Sequence, residues 1–472
     1  MPGKEIVRNP RNRRKTRNRF LAMVAAVLAG WLVSRGVAAA NRHHLTHPTR
    51  ALPAQDGRVA LENGFTDLDL LALLSEGSAE GVTGDGARVM LALDEDLQKQ
   101  IFALFRRFDP PYGVFAAMEP ATGRVVALVG YRKGGESDPR LPLKAVYPAA
   151  SLIKVVTASA ALEKGNISPE DEISYRGGIY GITRKGIHAR DGRGVPSMSL
   201  EEAIAKSANS VFGKVAVNYV GSEVLAYYMS KFGFGQPIPF DLPVEESQGE
   251  IPRDEYNLAR TGAGFVEVYV SPLHMAMIMS AIAASGEMPR PILIERVEDK
   301  DGNALFEAEP SKWRDTVKSE TADALLQMMV KTIEMGTSRR TFGSPEATPI
   351  LQDMEVAGKT GSLSGWSPRM HFEWFAGVAP VGDPKLAVAA LVVNDNRGKI
   401  KGSYVGKEAF NTYFGYPSST PPGYAKARGK ARWKPAAKKS DRAKVGTSRK
   451  RKKKRAPPAS GITVPRRNAP AG

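Results

Sequence analysis

Fourteen uninterrupted apolar residues, Phe20 to Val33, follow a leader of nineteen residues that holds eight Lys/Arg against one Glu. Extended through the small residues Gly36 to Ala40, residues 20–40 as one helix would reach about 31 Å at ~1.5 Å per residue, one bilayer core. Ala38-Ala39-Ala40 also suits a signal cleavage site, whereas the long basic leader favours an uncleaved anchor. In both readings the Lys/Arg excess holds residues 1–19 in the cytoplasm. The chain downstream is then expected on the periplasmic or extracytoplasmic side of the plasma or inner membrane.

Charge is segregated along the chain. The leader carries +7 and residues 424–472 carry +17, with eighteen Lys/Arg against one Asp, while 20–423 sum to −6 within the net +18. Basic character thus belongs to the two ends. The tail has too few apolar residues to collapse, so disorder is expected over 424–472. Its expected partners outside the cytoplasm are anionic lipid or an anionic envelope polymer, and no nucleic acid. With no cysteine in the chain, a disulfide framework, a zinc-thiolate site, an iron–sulfur cluster and a cysteine nucleophile are all excluded.

Residues 41–85 are polar and loop-like, a linker or stalk with one short helix around Asp67 to Leu74. Regular structure is expected from residue 86 to about 420. Arg88 to Leu93 reads as a strand, and Asp94 as the N-cap of a helix whose apolar residues Leu97, Ile101, Leu104, Phe105 and Phe108 recur at helical spacing. Val114 to Met118 and Arg124 to Val129 form a hairpin across Glu119 to Gly123, and Trp374 to Pro380 pairs with Lys385 to Asn394 in the same manner. Strand pairs at both ends with helices between them predict an α/β body, an antiparallel β-sheet flanked by helices.

Ser151-Leu152-Ile153-Lys154 opens a segment, Val155 to Lys164, rich in Ala, Val and Leu. An all-apolar helix is a buried one, and its first turn would display Ser151 and Lys154 on one face. Loss of hydration and the positive end of the helix dipole both lower a lysine's pKa, so Lys154 is a candidate base and Ser151 a candidate nucleophile. Alone the tetrapeptide is weak. Ser207-Ala208-Asn209 lies in the helical stretch Leu200 to Val217, and Gly358-Lys359-Thr360-Gly361-Ser362 follows a strand expected over Met354 to Ala357.

The three together, in this order, match the S-x-x-K, S-x-N and K-T-G set of penicillin-binding proteins and serine β-lactamases. The chain resembles the penicillin-binding transpeptidase family outside the motifs as well, over roughly residues 86–415. Leu91 to Gln98, Glu119 to Arg124, Ser271 to Ala276 with Ser285-Gly286, Gly336-Thr337 and Trp374 to Gly377 are similar to its recurrent segments. The resemblance implies a serine β-lactamase/transpeptidase-like fold without metal or cofactor. It also implies peptidoglycan stem peptides as substrates and β-lactams as inhibitors.

It further implies roles. Ser151 would attack the penultimate D-alanine carbonyl, Lys154 would take the hydroxyl proton, Ser207 would relay it to the leaving amine, and Lys359 would supply positive charge. Asn209 would hold the substrate amide, Thr360 and Ser362 its carboxylate, and Gly361 would let the strand approach closely. The backbone N–H groups of Ser151 and Ser362 would form the oxyanion hole. Ser362 departs from the threonine common after K-T-G but keeps the hydroxyl. Neither a glycosyltransferase domain nor a long pedestal fits ahead of residue 86, which makes a glycan-polymerising partner an expectation.

A D,D-carboxypeptidase or endopeptidase, or a non-enzymatic penicillin sensor or scaffold, remains the alternative. A β-lactamase is disfavoured, because Glu255-Tyr256-Asn257-Leu258-Ala259 misses the E-x-x-L-N pattern at its last position. A P-loop reading fails at Asp353 and a dinucleotide fingerprint at Glu267. No metal is expected, since His43, His44 and His47 sit in the linker, and His274 and His371 are expected as packing or surface residues.

Overall fold

A six-stranded, wholly antiparallel sheet carries the body. Its strands are β1 (Tyr112–Met118), β2 (Val125–Arg132), β3 (Glu136–Ser137), β4 (Ala357–Ser364), β5 (His371–Ala379) and β6 (Leu386–Asn394), in the spatial order β4-β5-β6-β1-β2-β3. The computed structural model describes residues 68–419 except 191, 266–267, 345–347, 366–369 and 396–397. The basic leader, the apolar segment 20–40, most of the stalk and the tail 424–472 therefore lie outside the described residues. No helix among the described residues is long and apolar enough to cross a membrane.

Both hairpins expected from the sequence are present, Met118 and Val125 closing the first and Ala379 pairing with Leu386 in the second. β1 and β6 sit at the centre of the sheet and are buried along nearly their whole length. Continuous apolar runs such as Leu386–Val393 suit strands covered on both faces.

One face is covered by α1 (Glu95–Phe108), a helix that Asp94 caps through a bond from Leu97 N at 2.9 Å. Leu97, Ile101, Phe105 and Phe108 are fully buried there, each contributing on the order of 2 kcal/mol of hydrophobic stabilisation. Buried Gln98 donates to the carbonyls of Leu74 and Leu128 and accepts from Leu128 N, tying α1 to β2 and to the short helix Leu70–Glu76. That helix is the one expected around Asp67 to Leu74, and with the strand Glu80–Val82, which pairs with Arg88–Leu91, it extends the ordered body ahead of the boundary expected at residue 86. Leu70 and Leu74 explain it, since both are buried in the body's core.

The opposite face packs against a helical lobe. It contains α2 (Lys154–Lys164), α3 (Leu200–Lys206), α4 (Asn209–Val215), α5 (Pro272–Ala283) and α6 (Ser319–Glu334), and α7 (Gly402–Tyr413) returns to the α1 side. α5 lies on β1, β5 and β6, with Ser271 as its cap and a proline in its first turn. It is apolar all round and buried throughout, as a central helix must be. Its His274 is a packing residue: Nε2–H donates to the Phe232 carbonyl at 2.7 Å, and burial pushes the imidazole down to about 4.

Two expectations are corrected. The helix expected over Leu200–Val217 is broken at Ser207, whose φ of 55° is left-handed. Ser207 N and Ala208 N bond back to Ile204 O and Ala203 O, a Schellman-type ending of α3. The strand expected over Met354–Ala357 begins only at Ala357, after a helical turn Ile350–Asp353, so Gly358 to Ser362 lie inside β4. Eight paired residues with β5 outweigh the poor strand propensity of Gly-Lys-Thr-Gly-Ser.

Candidate active site

Ser151 lies in a 3-10 turn, Ala150–Ile153, that runs directly into α2 and places Lys154 as that helix's first residue. The spacing of three puts Lys154 Nζ 2.8 Å from Ser151 Oγ. Nζ is also 3.0 Å from Ser207 O, 3.1 Å from Ser207 Oγ and 2.5 Å from Asn209 Oδ1. Four oxygens surround a nitrogen with at most three N–H bonds. Lys154 is fully buried, and that burial, reinforced by the charge of Lys359, holds its pKa well below the ordinary lysine value.

The break between α3 and α4 is what delivers Ser207. With its backbone left-handed, the residue stands between two helices, and its hydroxyl accepts from both Lys154 and Lys359. Lys359 Nζ donates to Ser207 Oγ at 2.9 Å and to the Thr360 carbonyl at 3.0 Å, and burial brings it down to about 7. Asn209 is held on its far side by donation to Tyr180 O at 3.0 Å.

β4 is an edge strand, and its free side runs past the Ser151 turn. At Gly361 a Cβ would come within 3.3 Å of Ala149 O and 3.4 Å of Ala150 Cβ, so the absent side chain sets how near the strand approaches. Behind the turn, Gly264 has a φ of +91°, and a Cβ there would lie 2.2 Å from Ala150 O. Ala150 is itself left-handed, with φ 48°. Gly264 therefore lets the backbone of the Ser151 turn pack closely against it, a contact that no spacing in the sequence signals.

All eight residues singled out from the sequence meet here. Ser151, Ser207, Asn209, Thr360 and Ser362 line a cleft of about 310 Å³, with Lys154 and Lys359 buried beneath it and Gly361 in its wall strand. The sequence reading missed Tyr180, Thr337, Glu373, Lys401 and Ser403, which line the same cleft. Thr337 Oγ1 is hydrogen-bonded to Thr360 Oγ1 at 2.5 Å, which brings the Gly336-Thr337 pair, quoted only for its resemblance, to the cleft. Glu255 pairs with exposed His188 at 3.1 Å and is not among the residues lining the cleft.

The cleft sets a serine hydroxyl against a fully buried lysine, with no histidine among the described residues that line it. The description of the penicillin binding protein transpeptidase domain matches residues 113–414, and the chain belongs to that family. It is 28% identical over 316 residues to the peptidoglycan D,D-transpeptidase PbpA of Mycolicibacterium smegmatis, covering 60% of this chain and 62% of that one. To PbpA of Mycobacterium tuberculosis it is 28% identical over 322 residues, covering 61% and 63%. The match thus spans less than two thirds of these relatives' length.

Among solved structures, penicillin-binding protein A from M. tuberculosis, as its penicillin G acyl-enzyme, superposes with a TM-score of 0.58. The identity is 24%, over 70% of this chain and 81% of that one. Penicillin binding protein 3 from the same organism, complexed with aztreonam, gives 0.59 at 22% identity, over 71% and 81%. These two show the shared fold.

Proposed function

We propose that this chain is a peptidoglycan D,D-transpeptidase that works through a Ser151 acyl-enzyme and is inhibited by β-lactams. The observation that carries the reading is the 2.8 Å contact between Ser151 Oγ and a fully buried Lys154 Nζ. A neutral Lys154 has two N–H donors and one lone pair, so the Ser151 O–H donates to that lone pair. Oγ then attacks the carbonyl carbon of the penultimate D-alanine while its proton passes to Nζ. Negative charge on the carbonyl oxygen falls to the backbone N–H groups of Ser151 and Ser362. As the C–N bond to the terminal D-alanine breaks, the leaving amine takes a proton through the Ser207 hydroxyl, which both lysines touch. An incoming amine reverses these steps, giving its proton to Lys154, forming the new amide and releasing Ser151.

Asn209 is positioned to hold the donor's amide, and the hydroxyls of Thr360 and Ser362 its terminal carboxylate. The relatives named D,D-transpeptidases support the reaction class. The same reading places 20–40 as a single-pass anchor with the catalytic body outside the membrane, a glycan-polymerising enzyme as partner, and an anionic surface for the +17 tail opposite a −6 body.

Incubation with a stem-peptide donor and an amine acceptor, followed by mass analysis, tests the reading. The crosslinked or amine-exchanged peptide is the expected product. Only hydrolysed peptide, across several amines and with polymerising glycan present, would assign a D,D-carboxypeptidase instead.

A further inference from the structure

A carboxylate of the protein borders the part of the cleft assigned to the substrate's carboxylate. Glu373 on β5 stands directly opposite Ser362 on β4, and both line the cleft. An unneutralised anion there would oppose any carboxylate-bearing donor. Lys401, immediately ahead of α7 and also on the cleft wall, brings Nζ to 3.3 Å from Glu373 Oε1. The other carboxylate oxygen accepts from Asn394 Nδ2 at 3.1 Å, and that amide also donates to the Ile400 carbonyl at 3.0 Å.

The three side chains form a graded series. Asn394 is buried, the Glu373 side chain is 20% exposed and that of Lys401 70% exposed. A fixed carboxylate therefore tethers a lysine whose head stays open to the cleft. A pair this exposed contributes little to folding, about 0–1 kcal/mol, so stability does not account for the arrangement. The two other lysines of the site are fully buried and occupied with Ser207 and its neighbours. Among the described residues lining the cleft, Lys401 presents the exposed ammonium.

We propose that Lys401 is a specificity-determining residue that binds the carboxylate of the donor's terminal D-alanine, and that of a β-lactam, with Glu373 and Asn394 holding it in place. The inference rests on the D,D-peptidase reading above. Three N–H donors let Lys401 keep Glu373 and still reach the incoming carboxylate beside the Ser362, Thr360 and Thr337 hydroxyls. Removing Lys401 alone leaves Glu373 facing the substrate's anion, so loss of the lysine and loss of both charges have different consequences.

Acylation of the full-length protein is compared for a labelled penicillin as the free carboxylate and as its methyl ester, at low salt. Lys401→Gln is expected to slow the carboxylate form roughly ten- to hundredfold and the ester far less. Lys401→Arg should retain the preference, and Lys401→Gln combined with Glu373→Gln should recover part of the loss. The ester arm also reports that each variant is folded. An unchanged acid-to-ester ratio in Lys401→Gln, with Ser151 still acylated, would overturn this inference and leave the D,D-peptidase reading standing. A wild-type protein acylated by neither form would overturn that reading, and the inference with it.

Discussion

Lys359 Nζ donates to the Ser207 hydroxyl at 2.9 Å although 152 residues separate the two in the chain. Lys154 reaches the same oxygen at 3.1 Å, so one hydroxyl joins two buried amines. Two ammonium groups in that position would repel each other without water to screen them, and burial already disfavours each. Burial lowers both, Lys154 well below the ordinary lysine value with the charge of Lys359 adding to the effect, and Lys359 to about 7.

The productive form in the proposed mechanism has Lys154 neutral and Lys359 charged. Acylation of Ser151 is expected to rise as Lys154 loses its proton and to fall above about 7 as Lys359 loses its own. Lys359→Arg cannot deprotonate in this range, so it should carry the alkaline limb to higher pH and leave the acid limb in place. Rapid-mixing acylation across pH measures both limbs. An alkaline limb that stays near 7 in the variant would assign it to another group.

Stability should show the same two lysines with a defined sign. Their folded pKa values lie below the unfolded value of about 10.4, so between the two the unfolded chain binds more protons. Folding is then penalised at neutral pH and relieved as pH rises from about 7 towards 10. Lys359→Met removes the desolvated charge at similar volume and is expected to stabilise the protein at pH 7 by ~1–3 kcal/mol while slowing acylation. The difference should shrink towards pH 10 in thermal melts. Equal destabilisation at both pH values would contradict the desolvation argument.

Ser207 carries a backbone conformation better suited to glycine, with φ at 55°. Ser207→Gly and Ser207→Ala both remove the shared hydroxyl, and both are expected to lose most acylation. They should differ in stability, glycine being the better tolerated by about 0.5–1 kcal/mol because it relieves the left-handed strain. Denaturant melts of the pair measure this, and equal stabilities would count against a strained Ser207.

Gly264→Ala tests the support behind the nucleophile. Its Cβ would lie 2.2 Å from Ala150 O at a φ of +91°, so the turn carrying Ser151 must move. A loss of roughly 1–3 kcal/mol together with slower acylation is expected, read from melts and penicillin labelling. Wild-type labelling in this variant would mean that the turn holds its place without the glycine.

What was legible in the chain, and what was not, follows from where each signal resides. Ser151 and Lys154 could be read because their contact is local, three residues apart at the start of an apolar helix. The hairpins could be read because alternating runs and turn residues are local too. Ser207 appeared as mid-helix because the left-handed break uses serine where glycine would have marked it. β4 was displaced because its Gly-Lys-Thr-Gly-Ser core becomes a strand only through pairing with β5. Glu373 and Lys401 join the cleft through register and chain return, which no window of sequence contains.

The account's central claim is that Ser151, activated by Lys154, is the group acylated. Reacting the protein with a labelled penicillin, digesting it and locating the adduct by tandem mass spectrometry tests this most directly, with Ser151→Ala and Lys154→Ala alongside. The expected result is one adduct on Ser151, absent from Ser151→Ala and slowed by at least ~10²-fold in a folded Lys154→Ala protein. An adduct on any other residue, or undiminished labelling of Ser151→Ala, would contradict it.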